Sequence, residues 1–181
     1  MRARSVFLLL AIALASAEAE AAPIDNLDGF RGIKWRDSVS DHADFTVAKV
    51  IGRTKHVVRH NDQLEFFGIP VGYATNEKRH VFWYLFDERL GFFGVTIGIS
   101  EDLTESQLQR AISRLEADLG PAERTASGGN YEYLWKGARV RLLLDVKYRP
   151  ALGLKGRIYL TFVPVEEERD RERKAARTDG F

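Results

Sequence analysis

The chain has no cysteine, and that absence excludes several things at once. No disulfide framework holds the fold, no thiolate serves as nucleophile or zinc ligand, and no lipid-modified cysteine tethers the protein. An excess of charge of one sign is missing too. The 27 basic and 26 acidic side chains leave a formal charge of +1, which argues against a surface built to hold nucleic acid or an anionic membrane by bulk charge. No apolar run reaches the roughly 20 residues that a permanent bilayer crossing needs. No serine lies in a nucleophile-elbow setting either.

What is present starts at the N-terminus. Arg2 and Arg4 precede an apolar block over residues 6–14, and the small residues Ala15 and Ala17 follow it. Charge, apolar block and small-residue site in that order predict a secretory signal peptide over 1–17. Ala19 and Ala21 are neighbouring cleavage options. The expectation is therefore a protein that is periplasmic or secreted after cleavage, with no membrane anchor in the mature chain. A cysteine-free exported domain suits a bacterial periplasm better than an extracellular animal setting. The remaining length fits one domain with a real core. Its stability must come from packing, which the 45% apolar content, three tryptophans, six tyrosines and eleven phenylalanines can supply.

Residues 18–28 are small, acidic and interrupted by Pro23, and predict a flexible lead-in before a single domain over 29–165. Residues 30–35 alternate as a short strand, and Ser38 has the chemistry of an N-cap for a short helix. Residues 47–58 suggest one or two strands around Gly52, and 64–73 another extended stretch. A hairpin follows, with arms over 81–86 and 90–99 around the polar turn Asp87-Glu88-Arg89. On its second arm, strict alternation places Phe93, Val95, Ile97 and Ile99 on one face and Leu90, Phe92, Gly94, Thr96 and Gly98 on the other.

The clearest helix spans 104–119. Thr104 and Gln107 have capping-box spacing, and Leu108, Ala111, Ile112, Leu115 and Leu119 form one apolar stripe. Gly120 and Pro121 end it. A meander then runs through 131–136, 139–148 and 157–163. In its second arm Val140, Leu142, Leu144 and Val146 oppose Arg139, Arg141, Asp145 and Lys147. One buried and one wet face predict an antiparallel sheet covered by the helix stripe, hence an α+β domain with one principal helix. The order strand, helix, strands occurs twice, as two degenerate units. The tail, 166–181, is nearly all charged and is expected to be an exposed helix or disordered, with Glu167–Arg171 and Asp170–Lys174 at a supporting spacing.

Candidate chemistry is sparse. His56 and His60, with Asp62 near, lie four apart, but strand geometry separates such a pair by ~13 Å, so no metal site is expected. Asp87 and Glu88 are adjacent in a turn, where both are expected to be solvated and unfit for paired acid–base work. Asp145 lies on a regular strand beside Arg139 and Arg141 and is better explained by a cross-strand ion pair. Ser127-Gly-Gly-Asn130 does not open a helix, as a phosphate cradle requires. Asp25-Asn-Leu-Asp-Gly29 lacks the distal glutamate of a calcium loop. The chain is thus expected to be no enzyme and to need no cofactor.

Two surface features stand out instead. Lys49, Arg53, Lys55 and Arg59, with His56 and His60, form a basic patch in a neutral protein, suited to an anionic partner or to guarding a sheet edge. Aromatics crowd residues 66–93, and the first hairpin arm is apolar on both faces, with Val81, Trp83 and Leu85 opposite Phe82, Tyr84 and Phe86. One helix layer covers only one such face. The other is expected to be an interaction surface that includes Trp83, Tyr84, Phe86 and Phe92, unless the N-terminal segment or the tail closes over it.

The helix ending Leu119-Gly-Pro121, followed by a polar loop and a three-stranded meander, resembles the helix-then-meander unit of small exported bacterial domains. These are the β-lactamase-inhibitor-protein-like and the outer-membrane-assembly-lipoprotein-like (SmpA-type) domains. The likeness covers the last third of the chain, and Gly32-Ile-Lys-Trp35 with its short helix resembles a degenerate first copy. The lipoprotein cysteine and the paired cysteines of the inhibitor type are both absent. The resemblance implies a protein-binding scaffold without catalysis, and it transfers no functional residue. The expectation is a non-enzymatic binding or assembly module of the cell envelope, its partner another envelope protein and not nucleic acid. The alternatives are a carrier for an apolar small molecule, with the aromatics lining a pocket, or a small envelope hydrolase.

Overall fold

Side-chain alternation decides most of this architecture, because each long strand carries one apolar and one wetter face. The computed structural model describes residues 22–59, 65–66, 69–70, 82–99, 103–149 and 153–178. The expected signal peptide, His60 and Asp62 lie outside them. The strands are β1 (Gly29–Phe30), β2 (Ile33–Lys34), β3 (Phe45–Ile51), β4 (Thr54–Arg59), β5 (Glu65–Phe66), β6 (Ile69–Pro70), β7 (Phe82–Asp87), β8 (Gly91–Gly98), β9 (Glu123–Ser127), β10 (Asn130–Lys136), β11 (Val140–Arg149) and β12 (Gly153–Phe162). Eight of them form one antiparallel sheet in the order β3-β4-β7-β8-β12-β11-β10-β9, while β1–β2 and β5–β6 are separate small pairs. Two four-strand meanders therefore meet at the centre, where β8 pairs with β12. A 3-10 turn at Val39–Asp41 precedes the first meander, and α1 (Glu105–Leu119) precedes the second. The fold is α+β, with an antiparallel sheet and one principal helix packed on it.

The helix starts where its cap chemistry says it should. The Thr104 side chain accepts from the Gln107 backbone, and the Gln107 side chain accepts from the Thr104 N–H at 2.8 Å. Leu108, Ala111, Ile112, Leu115 and Leu119 are its buried residues. At its other end, Gly120 adopts a φ of +86° and closes the last turn onto the Glu116 carbonyl. The indole N–H of Trp135, a β10 residue, donates to the Gly120 carbonyl at 2.9 Å and so ties the helix end to the sheet.

Two segments pack where looser structure was expected. Residues 22–28 are not a flexible lead-in. Pro23–Asn26 form a 3-10 turn with Ile24 fully buried. The Asp25 carboxylate accepts from the backbone N–H groups of Ala138 (2.7 Å), Arg139 (2.7 Å) and Val140 (2.9 Å) in the β10–β11 turn. Residue 137 must be glycine for this approach, because a Cβ there would collide with the carboxylate. Burial pushes Asp25 up, but the three N–H groups and the Arg139 charge together hold its pKa below the ordinary aspartate value. At the other end, helix α2 (Val163–Thr178) continues directly from β12 with Val165 buried, so the ordered domain runs past residue 165. Its Arg169 pairs with Asp87 at 3.0 Å, and its Glu172 pairs with Arg53 at 2.5 Å.

A bulge corrects the expected faces of the central hairpin. Leu85 pairs with Gly94, but Phe86 pairs with Phe92, which leaves Phe93 as the extra residue. The slip reverses the phase of β8, because one inserted residue sends each following side chain to the other face. Phe92 therefore joins Val95 and Ile97 opposite Phe86, Tyr84 and Phe82. The N-terminal segment covers this inner face. Trp35 stacks between Phe92 and Phe162 at 5.2 and 5.3 Å, nearly parallel to both, and its indole donates to the Leu27 carbonyl. Phe30 packs on Phe66, Phe82 and Tyr84.

Candidate functional site

The sheet face turned away from this core carries the site. Directly paired residues share a face, so the register defines its rows. One row runs Lys49, His56, Leu85, Gly94, Thr161 from β3 to β12. The next runs Trp83, Thr96, Tyr159, Leu143 from β7 to β11. Beyond Thr96 lies Gly98, paired with Arg157. Bulky residues on β7 and β12 thus flank small ones on β8. Trp83 and Tyr159 rise from strands two spacings apart, about 10 Å, with Thr96 and Gly98 as a low floor between them. The result is a slot of about 330 Å³ lined by Lys49, His56, Trp83, Thr96, Gly98, Arg157 and Tyr159.

Its electrostatics are one-sided. Arg157 stands beside Tyr159, while Lys49 and His56 stand beyond Trp83, and none of the described lining residues is acidic. His56 meets the Trp83 ring edge-on at 6.2 Å. Burial first, then the charges of Lys49 and Arg169, push the His56 pKa below its ordinary value. The imidazole is therefore a neutral hydrogen-bonding group at pH 7. Strand phase explains how Lys49 arrives here. Val47 pairs with Val57 and Lys49 with His56, so Ala48 is an inserted residue that swings Lys49 to the outer face.

The structure divides the two surfaces expected from sequence. Of the aromatic set, only Trp83 faces outward. Tyr84, Phe86 and Phe92 are fully buried in the core, on the inner phase of their strands, and cannot meet a partner. Of the basic set, only Lys49 joins Trp83. Lys55 pairs with Phe86 and so follows the inner phase, at a small hollow by the β7–β8 turn. Arg53 is engaged by Asp87 and Glu172. Arg59 donates to Asp44 at 2.6 Å and to the Arg31 carbonyl at 3.1 Å. Asp87 is buried, not solvated. It accepts from the N–H groups of Arg89 and Leu90 and pairs with Arg53 and Arg169, which outweigh the upward push of burial and lower its pKa. Asp145 sits opposite Arg157 of β12 in register. Among the described residues, no group of three or more histidine, cysteine or acidic side chains could hold a metal ion.

Sequence reasoning missed Thr96, Gly98, Arg157 and Tyr159 as site residues. The alternation of 157–163 had marked Arg157 and Tyr159 as outward, but their neighbour across the sheet depends on the long-range β8–β12 pairing. A second cavity, about 380 Å³, lies between the first turn of α1 and the sheet, where Tyr131, Tyr133 and Tyr148 meet Leu103, Leu108 and Leu154. Tyr131 and Tyr148 are 40% and 55% exposed, the only exposed large apolar residues among those described besides Val47, Val50 and Ile51 of edge strand β3. No helix among the described residues is long and apolar enough to cross a membrane. No protein-family model matches this chain, and comparison with curated proteins and with solved structures found no match to either.

Proposed function

We propose that this protein is an exported, non-catalytic binding module of the cell envelope that takes its partner on the outer sheet face around Trp83. One observation carries the reading. Of the three tryptophans, Trp35 and Trp135 are buried, and only Trp83 is partly open, in a slot whose described lining includes Lys49 and Arg157 and no acid. A rigid aromatic on a paired central strand is a preorganised anchor, since little conformational freedom is lost when it is covered. Export rests on the leader pattern of residues 1–17. The absence of catalysis rests on the engagement of the acids: Asp87 and Asp25 are both committed to holding backbone and arginines, and His56 faces cations instead of a carboxylate partner.

The test is site-specific photo-crosslinking in cells that express the full-length chain. A photoreactive residue at position 83 is expected to give a discrete adduct in the periplasmic or secreted fraction, while one at Arg114, exposed on α1, gives none. Equal labelling from both positions, or retention of uncleaved chain in the cytoplasm, would count against the reading. The tyrosine-lined cavity by α1 supports the second reading, a carrier for an apolar small molecule, at a place different from the packed hairpin aromatics. Native mass spectrometry of protein from its own host separates the two, since a co-purifying apolar ligand lost on Tyr133→Ala favours the carrier.

A further inference from the structure

We infer that helix α2 is a strap held on the outer sheet face by charge, that it lets go while the rest of the fold stays intact, and that its release widens the face offered to a partner. The inference rests on the binding-module reading and adds regulation of that same face.

Helix α2 crosses the outer face at one end. Thr54 and Asp87 are register partners, one alternation beyond His56 and Leu85, so all four share that face. Arg169 pairs with Asp87 at 3.0 Å and donates to the Thr54 hydroxyl. Its guanidinium also lies over the Phe93 ring, 4.3 Å from the centroid. The helix meets the strands in sheet order. Glu166 pairs with Arg141 of β11, and Arg169 then reaches β8, β7 and β4. Glu172 pairs with Arg53 in the β3–β4 turn at 2.5 Å and with Arg89 in the β7–β8 turn at 3.2 Å. Glu168 reaches Arg36 at 3.2 Å. The charge of Arg169 is felt at His56, so the strap adjoins the Trp83 slot.

Its hold differs in kind from that of α1. Helix α1 buries Leu108, Ala111, Ile112, Leu115 and Leu119, whereas Val165 is the only buried residue of α2. The rest of the hold is ionic. In the pairs made by Glu166, Glu168 and Glu172 the arginines are 37 to 64% exposed. Pairs as open as these are weak and are screened by salt. The Arg169–Asp87 pair is sheltered, but Asp87 keeps the Arg89 and Leu90 N–H groups and Arg53 when Arg169 leaves, so release strands no buried charge. From Arg173 onward the helix is exposed, which gives release a free end to start from. What it uncovers is Phe93 and Thr54, 5% and 8% exposed beneath the strap. Phe93 is the extra residue beside Gly94, the partner of Leu85, so the open surface then runs from Trp83 past Leu85 to a second aromatic ring.

The test follows hydrogen exchange of the leader-processed full-length chain at about 0.02 M and about 0.5 M sodium chloride, between which the screening length falls from roughly 20 Å to roughly 4 Å. Amides of residues 167–174 are expected to exchange about tenfold faster at high salt, while those of α1 and β11 keep their rates. Glu172→Gln removes the pairs with Arg53 and Arg89 and should give a similar gain at low salt. Arg124→Gln breaks the Glu116 pair on α1 and should leave α2 as it was. Because the chain has no cysteine, Thr54→Cys places a single thiol beneath the strap. Its labelling by N-ethylmaleimide should quicken with salt, and that of Val57→Cys, fully buried in the core, should not. If α2 exchanges only together with α1 and β11, it opens by global unfolding alone and the inference is overturned. Faster exchange without faster labelling at position 54 overturns it too, since the helix then frays in place. With the photoreactive residue at position 83, Glu172→Gln is expected to raise the adduct yield about threefold. An unchanged yield overturns the regulation. No adduct in either background, with the strap released as expected, tells against the binding-module reading and leaves the strap standing.

Discussion

Strand β7 alternates two sets of apolar side chains that differ in fate. Phe82, Tyr84 and Phe86 point inward and are at most 2% exposed, whereas Trp83 and Leu85 point outward and remain partly open. Composition does not separate the two sets; cover does. The inner set lies under Phe30 and Phe45 from the preceding chain, with ring centroids 5.0 to 6.1 Å apart. The outer set looks onto Thr96, Gly94 and Gly98, which are too small to close over it. A strand leaves an aromatic side chain partly open where the residues beside it are small.

The comparison breaks most visibly by truncation on each face. Phe92→Ala removes a fully buried ring that touches Trp35, Tyr84 and Phe86. It is expected to cost about 3–5 kcal/mol in urea unfolding, from lost transfer energy plus the cavity left behind. Trp83→Ala should cost less, about 1–3 kcal/mol, because the indole is only partly buried. Equal losses would mean that Trp83 is core and that the outer face has no open anchor.

A smaller effect sharpens the role of cover. The N-terminal segment shields the inner face only while it is docked, and Asp25 is the polar lock at its start. In Asp25→Asn one carboxylate oxygen becomes an NH₂, which confronts an N–H of the β10–β11 turn with another donor. The expected cost is about 2 kcal/mol, most of it from a backbone donor left without an acceptor. The lock also has a pH signature. Its native pKa is lowered, so its contribution is complete above the ordinary value of 3.8 and fades as pH falls through the native one. The gap between wild type and Asp25→Asn, measured by urea unfolding, should therefore narrow from pH 6 to pH 3.

How much of this was legible depends on how far along the chain the deciding contact lies. Helix α1 was readable to within a residue, because the Thr104–Gln107 box, the leucine stripe and Gly120 are all local signals. The alternation of β11 was readable for the same reason. The two bulges were not. Phe93 and Ala48 carry no turn chemistry, yet each flips the residues beyond it, and this is why Phe92 was expected on the wrong face and Lys49 was grouped with Lys55 and Arg59. The acidic lead-in was read as flexible because the partners of Asp25 lie 113 to 115 residues away. The slot was half visible. Trp83 and Lys49 were singled out, but Tyr159 and Arg157 reach them only through the central β8–β12 pairing.

The finest test of the outer face is the titration of His56, which reports local charge without any ligand. Burial and the cations Lys49 and Arg169 all disfavour the imidazolium, and no described lining residue is an acid that would offset them. The native pKa lies below the ordinary 6.5, so the unfolded chain binds the extra proton first as pH falls. The stabilising contribution is thus complete above pH 6.5 and is lost as pH drops toward the native value, the reverse of a histidine paired with a carboxylate. In NMR titration of the His56 ring protons the midpoint should lie on the acid side of 6.5, and Lys49→Gln should move it upward. Added salt should do the same, because part of the repulsion is screened. A midpoint above 6.5 would mean that an anionic group reaches the slot from elsewhere in the chain, and the outer face would then be self-occupied instead of open to a partner.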